Sequence, residues 1–166
     1  NLLPNYCYDF HVSCPGFMDF SDSVKITQTN NYLTSNFQNI EPQQVLVPIA
    51  VGLVVNLNNV VFSQRKWDLL PISYSSLDRL ANFLKLNPKV HIELGGHTDN
   101  HGDPDLNLTL SEYRVKEVRT YLIKHGVPKA RITYKYYGGS LPIASNVAEE
   151  TRKLNRRVDY KITKYE

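Results

Sequence analysis

The sequence predicts an α+β fold, a two-layer sandwich with a mixed sheet in β-α-β-α-β-β order and helices on one face. Three observations carry this expectation. Val90, Ile92 and Leu94 alternate with His91 and Glu93, the period-two pattern of a half-buried strand. Leu77, Leu80, Ala81 and Leu84 recur at helical spacing before that strand, and Leu110, Val118, Tyr121 and Leu122 do so after it. Near the C-terminus Val158, Tyr160 and Ile162 share one parity, while Arg157, Asp159 and Lys161 share the other. A closing strand with one face toward the helices follows.

A length of 166 residues suits one ordinary domain, or one domain plus a fragment. With 42% hydrophobic and 21% charged residues the chain can form a packed core, which excludes a disordered class. The net charge of +3 is slight and the basic residues are scattered among acids, so no nucleic-acid partner is expected. Asn1 in place of an initiator methionine points to a processed chain or an excised piece, with no signal peptide to read.

Residues 1–50 read as a β-rich segment. Tyr6, Tyr8 and Phe10 alternate with polar neighbours, Pro15-Gly16 supplies a turn, and Val45-Leu46-Val47 a short strand. If Tyr6–Ser13 is one extended strand, Cys7 and Cys14 stand roughly 23 Å apart on opposite faces. A disulfide tolerates only about 4.4–6.8 Å between Cα atoms, so two buried thiols are expected unless the chain turns back. From Pro42 to Gln64 no residue is charged, but Pro48, Gly52, Asn56, Asn58 and Asn59 interrupt the run. Its apolar core is about half the roughly 20 residues of a spanning helix, so it reads as two strands and no transmembrane segment.

Residues 51–166 read as the main domain. In Val54–Phe62 both parities carry apolar residues, as in a strand covered on both sides at one end. Pro71 and Ser73 open the first helix and Asn87-Pro88 closes it. A strand over Lys89–Gly95 ends at Gly95-Gly96, and a second helix over Leu108–His125 ends at Gly126. Ile132, Tyr134 and Tyr136 mark the next strand. A loop with Gly138-Gly139 and Pro142, a short helix over Glu149–Leu154 and a strand over Arg156–Ile162 complete the chain.

Between the central strand and the second helix lies a polar loop, His97-Thr98-Asp99-Asn100-His101-Gly102. Arg114 is four residues from both Leu110 and Val118, which places it in the apolar stripe of that helix. A guanidinium keeps its charge and is rarely buried alone, so an anion is expected beside it. Asp99 is the nearest. A fixed cation beside a fixed anion suits a zwitterion such as the end of an amino acid, and a helix starting near Thr109 would add free N–H groups that favour a carboxylate. The same residues also fit a structural ion pair in which Asp99 caps an Asx turn. Arg156 shares parity with Val158 and is expected to point inward at the mouth of the last strand, whereas Arg157 is not. A solvent-facing Arg156 at a frayed strand start is the alternative.

Gly96-His97-Thr98-Asp99-Asn100, Asn107, Leu110-Ser111, Arg114, Gly126-Val127, Arg131, Pro142-Ile143-Ala144, Asn146 and Asn155-Arg156-Arg157-Val158 together resemble the OmpA-like C-terminal domain, over about Val51–Lys164. The resemblance implies a non-catalytic module that grips the peptide stem of peptidoglycan through the charged ends of a diaminopimelate residue. Carried over, the family's aspartate falls on Asp99, its arginine on Arg114, its supporting asparagine on Asn107 and an arginine of the closing strand on Arg156. Backbone near Thr98 and Asn100 would complete the contacts. It further implies a periplasmic protein tied to the outer membrane and cell wall of a Gram-negative-type bacterium. The alternative is a scaffold module that works through other envelope proteins with a degenerate cleft. Residues 1–50 loosely resemble the end of a carboxypeptidase-regulatory-like sandwich, through Tyr8-Asp9-Phe10 to Pro15-Gly16-Phe17.

Several positions depart from the family pattern. Where an acidic Phe-Asp-x-Asp-like segment usually flanks the ligand, this chain has Phe62-Ser63-Gln64-Arg65. Arg65 would repel an ammonium or recruit a further carboxylate. Val115 replaces alanine, Tyr136-Tyr137-Gly138-Gly139 replaces a Gly-x-Gly-Glu-like loop, and Thr151 stands at a usual glycine. These changes bear on affinity and on the choice of stem peptide, and Arg65 favours the scaffold alternative.

His91, His97, His101, Asp99 and Asp103 include enough donors for a metal, but His91 is a strand-length from His101 and no His-Glu-x-x-His helix exists. No metal site is expected, and His97 reads as a structural residue of the loop. With no Gly-x-Ser-x-Gly elbow and no phosphate-cradling loop, neither an enzyme nor a cofactor is expected.

Overall fold

The chain divides into two units, Asn1–Pro48 and Ile49–Glu166, and a computed structural model describes residues 7–25, 47–63 and 66–165 of them. Val45 and Leu46 of the expected short strand, and Arg65, lie outside the described residues. In the first unit, strands β1 (Cys7–Val12) and β2 (Phe20–Lys25) pair antiparallel from Cys7 opposite Lys25 to Val12 opposite Phe20. The turn falls at Pro15-Gly16, where Gly16 takes φ +86° and the Phe17 N–H donates to Cys14 O at 3.1 Å. Cys14 is a half-buried free thiol.

The second unit holds a four-stranded mixed sheet in the order β3-β6-β4-β5. Its elements are β3 (Val54–Asn56), α1 (Tyr74–Leu86), β4 (Val90–His97), α2 (Pro104–Lys124), β5 (Ile132–Gly138), α3 (Glu149–Arg152) and β6 (Val158–Tyr165). β4 runs parallel to β5 and antiparallel to β6, and β3 adds antiparallel to β6. The register sets Ile92 beside Ile132 and Ile162, and Leu94 beside Tyr134 and Tyr160, on one face. Leu77, Leu84, Val115, Val118 and Leu122 cover that face with no exposed surface. The other face is polar: Lys135 pairs with Glu93 at 3.2 Å, and Lys161 is exposed. The expected α+β sandwich is therefore the observed one.

The strand expected over Arg156–Ile162 runs over Val158–Tyr165, and the short helix expected over Glu149–Leu154 ends at Arg152. Three further boundaries differ from the sequence reading. The strand expected over Val54–Phe62 stops at Asn56, because Asn59 takes φ +63°, a left-handed conformation that asparagine tolerates and a strand does not. Beyond this turn, Ser73 Oγ donates to Val61 O and accepts from Val61 N–H, both at 2.8 Å, and Phe62 forms only an isolated antiparallel bridge with Leu69. β4 runs through the two glycines to His97 instead of ending at them. A Cβ on Gly96 would lie 2.5 Å from Ser111 O, so this glycine lets α2 rest directly on the strand. Finally, α2 begins at Pro104, a turn before the apolar periodicity starts. Asp103 caps it, its carboxylate accepting from the N–H groups of Asp105 and Leu106, with proline at the first helical position.

Arg131, just before β5, is 9% exposed. Its guanidinium donates to Leu84 O, Asn87 O and Val90 O at 2.6–2.8 Å, closing the carbonyl end of α1 and the start of β4.

Candidate functional site

The site forms where β4 ends, α2 begins and the segment before β6 returns. Thr98 N–H donates to Gly138 O at 2.9 Å, which fixes the loop against the end of β5. Thr98 is itself buried and its hydroxyl donates to Asp99 O, so its side chain shapes the loop. A Cβ on Gly139 would sit 2.6 Å from Asp99 O, so only glycine admits the loop at this height. Asn107, on the first turn of α2, donates its amide to His101 O at 2.8 Å and Asp99 O at 3.4 Å, tying the loop to the helix. Asn100 is exposed. With Asn107, Tyr136, Gly139 and Ser140 it lines a depression of about 450 Å³.

Asp99 does not pair with Arg114. Its Oδ1 accepts the His101 N–H at 3.0 Å, an Asx turn, and its Oδ2 accepts Arg156 Nη1 at 2.9 Å with Arg152 Nε 4.0 Å away. Glu149 binds both arginines, Arg156 at 2.6 Å and Arg152 closer still. These bonds hold the Glu149 carboxyl down at about 2, Arg156 contributing most, and raise the Arg156 pKa. Arg152 also reaches His101 Nε2 at 2.9 Å.

Arg114 is buried as its place in the apolar stripe requires, at 8% exposure. Its Nε donates to Lys66 O at 3.1 Å and its guanidinium lies 5.0 Å over the Phe62 ring. Among the described residues no carboxylate comes within ion-pair distance, and its two terminal amino groups make no hydrogen bond to the protein and are not sealed from solvent. Burial lowers its pKa, Arg156 lowers it further and Asp99 opposes them, so the three share one neighbourhood without a direct Asp99–Arg114 bond. The site thus gathers three guanidiniums and two carboxylates, an excess of positive charge with Arg114 least satisfied.

The helix start expected to greet a carboxylate does not do so. With α2 beginning at Pro104, Asp103 already takes the Asp105 and Leu106 N–H groups. Parity also misjudged the arginine pair. Arg156 does reach Asp99, but its side chain is 36% exposed, whereas that of Arg157 is 11% exposed and packs against Asp159 at 3.4 Å. Arg156 precedes β6, so strand parity does not govern it. Arg157 and Asp159 are sheltered with His97, whose Nε2 lies 3.0 Å from Asp159 Oδ2 without the angle of a hydrogen bond, and whose ring stacks 5.0 Å from Tyr137. His97 is structural, through the closing strand rather than through its own loop. Among the described residues no three His, Cys, Asp or Glu side chains form a metal-binding group.

Glu149 and Arg152 were not singled out from sequence. Their spacing to Arg156, seven residues for Glu149 and four for Arg152 along a helical segment, is the signal that places all three on one side. Asn155 is fully buried and holds the 142–147 loop: its Oδ1 accepts from the Ile143 and Ala144 N–H groups, and its amide donates to Ala144 O and Asn146 Oδ1.

Comparison with known proteins agrees with this architecture. The chain is 39% identical to outer membrane porin F of Pseudomonas fluorescens over 68% of this chain and 34% of the porin. It is 38% identical to the peptidoglycan-binding protein ArfA of Mycobacterium tuberculosis over 60% of this chain and 31% of ArfA. It therefore spans about a third of the length of each. The crystal structure of the peptidoglycan-associated lipoprotein from Burkholderia pseudomallei superposes with a TM-score of 0.59 at 30% identity, covering 63% of this chain and 88% of the lipoprotein. Residues 61–156 match the OmpA family, and the chain belongs to it.

Proposed function

We propose that the second unit is a non-catalytic module that binds the peptide stem of peptidoglycan and anchors a periplasmic or outer-membrane protein to the cell wall. The observation that carries this is Arg114: a buried guanidinium with one carbonyl, one aromatic face and two open amino groups, in a site with surplus positive charge. A planar fork of donors fits a carboxylate in two-pronged fashion. Two relatives named for binding or association with peptidoglycan support the wall as the ligand.

The stem residue that fits best is diaminopimelate, whose side chain ends in an ammonium and a carboxylate. Its carboxylate goes to Arg114. Its ammonium goes to Asp99, which has two acceptor positions left after His101 and Arg156. Arg156 keeps Asp99 in place from the other side. Calorimetric titration with two stem peptides, one carrying diaminopimelate and one lysine at the third position, tests this reading. Lysine has the ammonium and lacks the carboxylate, so it is expected to bind at least tenfold more weakly, from the loss of about 1.5–3 kcal/mol. Equal binding would remove Arg114 from the account.

A second reading is favoured by one observation: Arg156 and Arg152 already stand on Asp99. In it the cleft is closed by the protein's own side chains and the module is a scaffold for envelope partners. Wild-type protein that fails to sediment with purified sacculi selects this reading.

A further inference from the structure

Trp67 is the sole tryptophan of the chain and it is 45% exposed. An indole is large and mostly apolar, and is seldom left in water where packing could cover it. Here it is not loose. Its ring stacks on Tyr113 of α2, centroids 4.8 Å apart and planes 30° from parallel. Tyr113 is 46% exposed, and Lys116 Nζ lies 6.0 Å over its ring. With one face seated on Tyr113, the surface left to Trp67 is its other face and its edges.

The position of this pair ties it to Arg114 from both sides. Tyr113 is the residue before Arg114, and Trp67 follows Lys66, whose carbonyl accepts from Arg114 Nε at 3.1 Å. Chain geometry therefore sets the indole within roughly 10 Å of the guanidinium, about the span of three extended residues. A stem peptide whose third residue sits on Arg114 is joined to its sugar over that same distance.

We propose that Trp67, held by Tyr113, is a platform for an N-acetylhexosamine ring of the glycan strand. This rests on the peptide-binding reading above and extends it from the stem to the sugar that bears it. The axial C–H groups of a pyranose form an apolar face that lies flat on an electron-rich indole, while the hydroxyl and acetamido groups around the rim stay in water. A single rigid aromatic surface recognises this chemistry without further charged groups.

Calorimetry would compare the diaminopimelate stem peptide with the same peptide joined to its N-acetylglucosamine–N-acetylmuramic acid disaccharide. Titration of Trp67 emission with peptide-free N-acetylglucosamine oligomers would report directly, since no other indole contributes. The platform predicts about three- to tenfold tighter binding of the sugar-bearing ligand by wild type, a change in emission with the oligomers, and unchanged affinity of Trp67→Leu for the free peptide with no gain from the disaccharide. Tyr113→Leu, which removes the support and keeps the indole, is expected to lose most of the gain. Wild type that binds the peptide but gains nothing from the disaccharide overturns the platform alone. Wild type that binds neither ligand, with emission unmoved by the oligomers, overturns the peptide site and the platform together. A gain retained in both variants also overturns the platform.

Discussion

Two guanidiniums are buried to nearly the same depth in this protein, Arg131 at 9% exposure and Arg114 at 8%. Burial lowers the pKa of both. Their surroundings differ. Arg131 gives its donors to three carbonyls at 2.6–2.8 Å, at the end of one helix and the start of a strand. Arg114 gives one donor to one carbonyl, rests on Phe62, and feels a second arginine nearby. The first is a buried charge that completes the backbone's hydrogen bonding. The second is a charge whose two terminal amino groups bond no group among the described residues and keep contact with solvent. Equal depth of burial thus goes with unequal hydrogen bonding, and the proposed binding role of Arg114 rests on that difference.

Substitution sharpens this contrast. The largest effect is expected at Arg131→Met, which removes the guanidinium's bonds to three carbonyls, of which Asn87 O keeps the Val90 N–H. We expect a loss of about 3–5 kcal/mol of unfolding free energy in urea titrations, with wall binding unchanged in the protein that remains folded. A loss under about 1 kcal/mol would break the comparison from the structural side. Gly96→Ala comes next. Its Cβ would meet the Ser111 carbonyl at 2.5 Å, a backbone atom that yields only if α2 moves, so a loss of about 1–3 kcal/mol is expected by thermal unfolding. Asp99→Ala removes the acceptor of the His101 N–H and of Arg156. It should cost about 1–2 kcal/mol of stability and abolish co-sedimentation with sacculi; retention on the wall would free Asp99 of its assigned role.

The smallest effect concerns Glu149. Its folded pKa lies near 2, below the ordinary 4.5, because Arg156 and Arg152 bond the ionised form. A depressed carboxyl favours folding in full above the unfolded value of 4.5; that contribution declines as pH falls below it and is gone once pH has fallen through about 2. The Glu149 carbon resonance should therefore titrate near 2. A midpoint near 4.5 would mean that Glu149 does not hold the two arginines.

Much of this fold is legible in the residues. The alternation in Val90–Leu94 and Val158–Ile162, and the helical spacing of Leu77–Leu84 and Val118–Leu122, are direct images of which side chains are covered. Boundaries set by polar residues were less so: Asp103-Pro104 starts α2 with no apolar periodicity, and Asn59 ends a strand that its valines would have extended. The burial of Arg114 follows from its spacing, but its partner does not. Sequence offers Asp99 as the nearest anion, whereas the segment before β6 carries Arg152 and Arg156 onto that carboxylate from over fifty residues away. Tertiary return of this kind leaves no local pattern. Motif residues also differ in kind. Asn155, Ser111 and Arg131 hold loops and helix ends, Ser111 through its hydroxyl to Gly138 N–H at 3.0 Å, while Asp99 and Arg114 retain hydrogen-bonding capacity. No spacing rule separates the two sorts before the hydrogen bonds are traced.

The central claim is that Arg114 is buried for a ligand and not for the fold. Arg114→Met tests it when unfolding free energy and co-sedimentation with sacculi are measured on one preparation. The account predicts stability within about 1 kcal/mol of wild type, or higher, since an uncompensated charge is replaced by a well-packed apolar chain, together with loss of the protein from the wall pellet. A variant that stays with the wall, or one that unfolds as readily as Arg131→Met, would contradict it.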